Sequence, residues 1–85
     1  MATKYLVEVY LPAAQKKFDM RIPAVSRMGE INTLVASLAA DLSEGSYKAT
    51  KQSILINAET GEMYNDVDMS AMEKGIRNGT RLILI

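Results

Sequence analysis

Between residues 5 and 11 the chain alternates. Tyr5, Val7, Val9 and Leu11 take one parity, Leu6, Glu8 and Tyr10 the other, which is the period-two pattern of a strand with one face in a core. Pro12-Ala13-Ala14-Gln15-Lys16-Lys17 interrupts the pattern, and Phe18, Met20 and Ile22 restore it. The two segments read as a hairpin with a longish loop, ended by Pro23, which has no amide proton for a ladder. From Ser26 the period changes. Met28, Ile31, Leu34, Val35, Leu38 and Leu42 recur every three or four residues, predicting an amphipathic helix of roughly four turns. Ser26 is its expected cap, Glu30 suits its dipole, and Gly45 is the expected left-handed residue that ends it. A polar connector (43–52) leads to a third strand, Ile54-Leu55-Ile56. Residues 57–61 turn into a short fourth segment, Glu62-Met63-Tyr64, a helical turn covers 69–74, and the last strand runs over 81–85.

One helix long enough to cover a sheet, set among strands, predicts an α+β architecture: a mixed sheet of four to five strands with the helix packed on one face. The 85 residues make a single domain, 1–85, whose stability at the usual per-residue rate is ~4 to 13 kcal/mol. The expected core is Val7, Val9, Phe18, Ile22, Ile31, Val35, Leu38, Ile56, Leu82 and Leu84, with Met20, Met28 and Met63 filling gaps. Lys16, Lys17 and Arg21 fall on the second strand, where charges discourage a sheet edge from pairing.

Composition narrows the chemistry. Ten basic and ten acidic residues cancel, so no net field draws in nucleic acid or an anionic membrane. Cysteine and histidine are both absent, which removes disulfides, thiolate nucleophiles, imidazole ligands and the commonest general base. The carboxylates Glu59, Glu62, Asp66 and Asp68 miss the calcium-loop spacing and read as a solvated loop. The serines have neither a histidine nor an S-x-x-K lysine to activate them. No catalytic residue, cofactor or metal is therefore expected. The start, Met1-Ala2-Thr3-Lys4, has no apolar signal core, and no apolar run reaches membrane-spanning length, so the expected setting is cytoplasmic, without direct membrane insertion.

Near the end, Gly75-Ile76-Arg77-Asn78-Gly79-Thr80-Arg81-Leu82 places glycines where a tight reversal needs a left-handed backbone. This stretch resembles the G-I-x-x-G-x-x-L ending of many ubiquitin-like β-grasp domains, and the resemblance extends from Lys4 to Ile85. Within that superfamily the chain is most similar to the small YukD and EsaB proteins of Gram-positive type VII secretion loci, a kind of domain that also occurs fused to a membrane component of the secretion machine. Ala71 or Met72 stands where a leucine is usual, which leaves the register before Gly75 open.

The last strand is apolar on both faces. If Leu82 and Leu84 face the helix, Ile83 and Ile85 face the other way, and Leu55 and Tyr10 on the flanking strands are expected beside them. Four clustered apolar side chains on an open face point to an interface, and the resemblance implies the same, since ubiquitin-like domains recruit partners there. The expected function is a non-enzymatic, accessory or regulatory ubiquitin-like protein of a bacterial type VII secretion system. It would bind protein partners of the secretion machinery through Tyr10, Leu55, Ile83 and Ile85, as a monomer or weak homodimer. The competing reading is a ubiquitin-like modifier or sulfur carrier. It is disfavoured because the sequence has no Gly-Gly tail after Ile85.

Overall fold

The computed structural model describes residues 3–85. Strand β1 (Lys4–Leu11) and strand β2 (Lys16–Pro23) form an antiparallel hairpin, helix α1 (Met28–Leu42) follows, and β3 (Leu55–Asn57) and β4 (Arg81–Leu84) complete the sheet. The strand order is β2-β1-β4-β3. β4 runs parallel to β1 and antiparallel to β3. The segment expected as a fourth strand forms no ladder and pairs with the sheet as an isolated bridge between Ile56 and Met63.

The alternation in β1 sets the layers. Val7, Val9 and Leu11 are buried against the helix, together with Met20 and Ile22 of β2 and Leu82 and Leu84 of β4. α1 contributes Met28, Ile31, Val35, Ala36 and Ala39. Phe18 is half-buried and packs at the margin of this core. Leu38 is a departure: with Leu34 and Leu42 it is exposed. Residues four apart share a helix edge, and this edge overhangs the sheet rather than lying on it. Its neighbour is β2, since Leu34 and Ile31 line a hollow with Pro23.

Ser26 does not cap the helix. Arg27 occupies the cap position in an extended conformation without a side-chain hydrogen bond. Two of the helix's unpaired amides are satisfied by a distant loop instead, Met28 N–H donating to the Met69 carbonyl at 2.7 Å and Gly29 N–H to the Val67 carbonyl at 3.1 Å. Gly29 permits that approach, because a Cβ there would stand 3.1 Å from Val67 Cβ. At the other end Gly45 is left-handed as expected, φ +89°, and Glu44 before it is left-handed too, φ +55°. The Glu44 amide bonds the Asp41 carbonyl and the Gly45 amide reaches back to Ala40, the paired closure of a Schellman turn.

The turn before β4 follows the expectation. Gly75 and Gly79 have φ of +81° and +87°, and Ile76 between them is buried. Ala71 is buried and Met72 exposed, which fixes the register left open in the sequence. Ser70 opens this turn with a reciprocal pair: its amide donates to Glu73 Oε1 at 2.9 Å and its Oγ accepts from the Glu73 amide at 3.1 Å. This is a capping box, and the Ser70-Ala71-Met72-Glu73 spacing signals it.

Candidate functional site

The open face of the sheet is built by the residues of opposite parity to the core. On β1 these are Leu6, Glu8 and Tyr10, and on β2 the exposed Lys17, Asp19 and Arg21. Register sets them in rows: Tyr10 is opposite Ile83, Ile83 opposite Ile56, and Ile56 opposite Met63. Residues opposite each other in a ladder project to the same face, so Tyr10, Ile83, Ile56 and Met63 form one apolar row across three strands and the bridged segment. Tyr10, Ile83 and Ile56 are half-buried by their neighbours, and Met63 is 48% exposed. Ile85, one residue beyond β4, is 53% exposed, and its backbone pairs with Ile54 in both directions at 3.2 Å.

Two expectations about this face are corrected. Leu55 is not on it. It lies opposite Leu84 and is fully buried, so it belongs to the core and Ile56 takes the outward place. A one-residue slip in strand phase exchanges the faces, and three consecutive apolar residues, Ile54-Leu55-Ile56, carry no alternation from which to read that phase. Met63, expected inside, is outside for the same reason, and its neighbour Tyr64 is buried in its stead.

Tyr64 is held by polar contacts that the apolar pattern does not show. Its hydroxyl accepts from Asn57 Nδ2 at 3.0 Å, and its carbonyl accepts from Asn32 Nδ2 at 3.2 Å. Asn32 is buried on the helix and its Oδ1 accepts from the Leu55 amide at 3.4 Å. One buried amide thus ties α1 to β3 and to the Met63 segment, which is how that segment is held beside Ile56. Lys74 fixes its outer side. Its Nζ lies 2.8 Å from Glu62 Oε2 and 3.3 Å from Asp66 Oδ2, and the hydrogen bond it donates to Glu62, opposed by desolvation and helped by Asp66, leaves the ammonium with a raised pKa.

The charges around the row close on one another. Glu8 is 3.9 Å from Lys17, and Arg81 donates to Glu59 Oε1 through Nη2 at 3.1 Å and Nε at 3.4 Å. Glu59, Glu62 and Asp66 are thereby engaged with cations. Among the described residues no group of three or more acidic, histidine or cysteine side chains converges as a metal site would. Among the same residues no helix is long and apolar enough to cross a membrane. What the face offers is an apolar strip of fixed geometry bordered by neutralised charge.

No protein-family model matches the sequence, and no curated protein matches it. Solved structures do. The ubiquitin-like domain of the Mycobacterium tuberculosis type VII secretion system protein EccD1 superposes with a TM-score of 0.72 at 14% identity, covering 98% of each chain. The ubiquitin-like domain of EccD5 from Mycobacterium xenopi gives 0.68 at 14%, covering 98% of this chain and 93% of that one. A ubiquitin-like domain from tubulin-binding cofactor B gives 0.68 at 20%, covering 99% and 90%. The class is thus defined: the chain has the ubiquitin-like β-grasp fold, one helix on a mixed four-stranded sheet.

Proposed function

We propose that this chain is a non-enzymatic protein-interaction module, a cytoplasmic accessory or regulatory component of a type VII secretion system. Its docking surface is the open-face row of Tyr10, Ile83, Ile56 and Met63, extended by Ile85. The observation that carries the reading is the row itself. Single exposed hydrophobes are ordinary, but four in register on one rigid face form a strip suited to a partner's apolar ridge. The match to the EccD1 domain over nearly the full length of both chains supports the choice of secretion system.

The test is capture of secretion-machine components from native cells on the immobilised protein, wild type against Ile56→Ser/Ile83→Ser, with folding checked by circular dichroism. The double variant is expected to weaken capture by about tenfold or more. A folded double variant that retains every partner would show that the row is not the docking surface. A wild type that captures soluble proteins but no secretion component would overturn the assignment to that system while leaving the surface standing.

A further inference from the structure

The sheet's two edges differ. Beyond β3 the segment around Met63 closes the edge, with Asn57 N–H donating to the Glu62 carbonyl and Tyr64 N–H to the Leu55 carbonyl. Among the described residues β2 has no such cover. It is an end strand eight residues long, its register against β1 runs unbroken from Lys4 opposite Pro23 to Leu11 opposite Lys16, and its only proline is the last residue. A long, regular, bulge-free edge is a ready template for another strand, and although its basic residues deter pairing in general, Lys17 and Arg21 alternate with Asp19 and so admit a strand of complementary charge order. Near its Pro23 end stands the exposed Leu34 of α1.

We propose that β2 is a homodimerisation edge, pairing antiparallel with β2 of a second copy about a two-fold axis at Met20. The charge pattern selects both occupant and register. Along the open face β2 carries Lys17, Asp19 and Arg21, in the order plus, minus, plus. An axis between two residues would set core-facing positions opposite open-face ones and put the two helices on opposite sides of the joined sheet. The axis therefore passes through a residue. Centred on Asp19, the pairing sets Asp19 against itself and Lys17 against Arg21. Centred on Arg21, it sets Arg21 against itself. Centred on Phe18, it sets Lys17 against Asp19 twice but leaves only residues 16–20 of each strand in the ladder; centred on Met20, it sets Asp19 against Arg21 twice and Lys17 against Pro23, with no like charges opposed and the longer run of residues 17–23 of both copies in the ladder. Cross-strand pairs of opposite charge favour a register, and like pairs oppose it. On the helix side the same register places Phe18, half-buried in the single chain, opposite Ile22. It brings both helices to one side of a continuous eight-stranded sheet. Both open-face rows stay free, so one dimer presents two docking strips.

The test is sedimentation velocity of the full chain up to about 1 mM, the weak end of specific association. Wild type is expected to form dimers with rising concentration. Asp19→Arg alone and Arg21→Asp alone each oppose like charges twice and should raise the dissociation constant by about tenfold or more. An equimolar mixture of the two variants should recover wild-type association, because every substituted position again faces its opposite. That recovery also shows both variants to be folded. Ile83→Ser should dimerise as wild type does. If the single variants do not fold, amide exchange along residues 17–22 of the wild type reads the same edge, with protection rising as concentration rises. A wild type monomeric at 1 mM, single variants that dimerise normally, a mixture that stays monomeric, an Ile83→Ser variant that loses the dimer, or edge protection indifferent to concentration would each overturn the proposal.

Discussion

The adjacent pair Leu55 and Ile56 gives the sharpest test of the sheet's two faces. Leu55 is fully buried opposite Leu84, whereas Ile56 is half-buried on the open face opposite Ile83. Truncating a buried leucine to alanine removes its transfer free energy and leaves a cavity, a cost of ~2 to 5 kcal/mol. Leu55 lies between the sheet and the buried Asn32 of the helix, whose Oδ1 accepts from the Leu55 amide, so the site has little freedom to collapse. The upper half of that range is expected, a large share of a stability of ~4 to 13 kcal/mol. Ile56→Ala loses only partial burial and leaves no enclosed cavity, so about 1 kcal/mol is expected. With a urea m-value of about 1 kcal/mol/M for a chain this small, Leu55→Ala shifts the midpoint by about 4 M and Ile56→Ala by about 1 M. The assay is urea unfolding followed by circular dichroism, with equal m-values confirming two-state comparison. A midpoint lowered more by Ile56→Ala than by Leu55→Ala would refute the strand phase, and with it the composition of the open-face row.

Other perturbations probe the surrounding framework. Asn32→Ala leaves the Leu55 amide and Tyr64 carbonyl short of a partner and should cost ~1 to 3 kcal/mol in the same assay, whereas a loss below the low end of that range would mean that Asn32 is not the fastener described. Gly75→Val and Gly79→Val meet no atoms within 4 Å of the added Cβ, so their expected cost of ~1 to 2 kcal/mol each comes from backbone strain alone; destabilisation relieved by Asn at the same positions would confirm it. The Glu73 carboxyl is held below the usual carboxylate range, first by the Ser70 amide and then by its hydroxyl. Its contribution to stability is therefore present above the ordinary glutamate value and lost as pH falls through the folded value. Ser70→Ala keeps the amide and removes only the hydroxyl, so the Glu73 titration, followed by NMR, should move part of the way upward; an unmoved titration would refute the hydroxyl's share. The raised pKa of Lys74 has the opposite sign. Its contribution is present below the ordinary lysine value and lost as pH rises through the folded one, and Lys74→Met should remove that alkaline step from the stability profile.

The elements with the longest periodic runs were legible from residue pattern alone. Seven alternating positions fix the faces of β1, and β4 is phased through Gly79 and the parity of Leu82 and Leu84. The short segments were not. Three consecutive apolar residues at 54–56 and a three-residue segment at 62–64 have no internal period, so their faces are set by pairing partners distant in sequence. The helix shows a subtler limit. The spacing of Leu34, Leu38 and Leu42 is that of a buried stripe, but these residues sit at the margin of the apolar arc, and only the placement of α1 over the sheet decides which margin is covered. The cap was misread for a similar reason: Ser26 has the right chemistry at nearly the right place, yet the carbonyls of Val67 and Met69 satisfy the helix amides from a loop about forty residues away in sequence. By contrast, the Ser70 to Glu73 box went unread although its S-x-x-E spacing is local and needs no tertiary information.

The ion pairs around the row bear on recognition more than on folding. Exposed pairs such as Glu8 with Lys17 and Arg81 with Glu59 contribute at most about 1 kcal/mol each to stability. Their geometry nonetheless places two carboxylates against two cations at the borders of a strip made by Tyr10, Ile83, Ile56 and Met63. A partner covering that strip must remove water from its rim, and a rim charge already facing its opposite resists this less than a lone one does. The alternation along β4 then separates the two tasks of the strand. Leu82 and Leu84 hold the core, while Ile83 between them is committed to neither the core nor a charge pair. Removing its side chain should leave the fold and the bordering ion pairs in place and take away the centre of the surface, where interface energy concentrates.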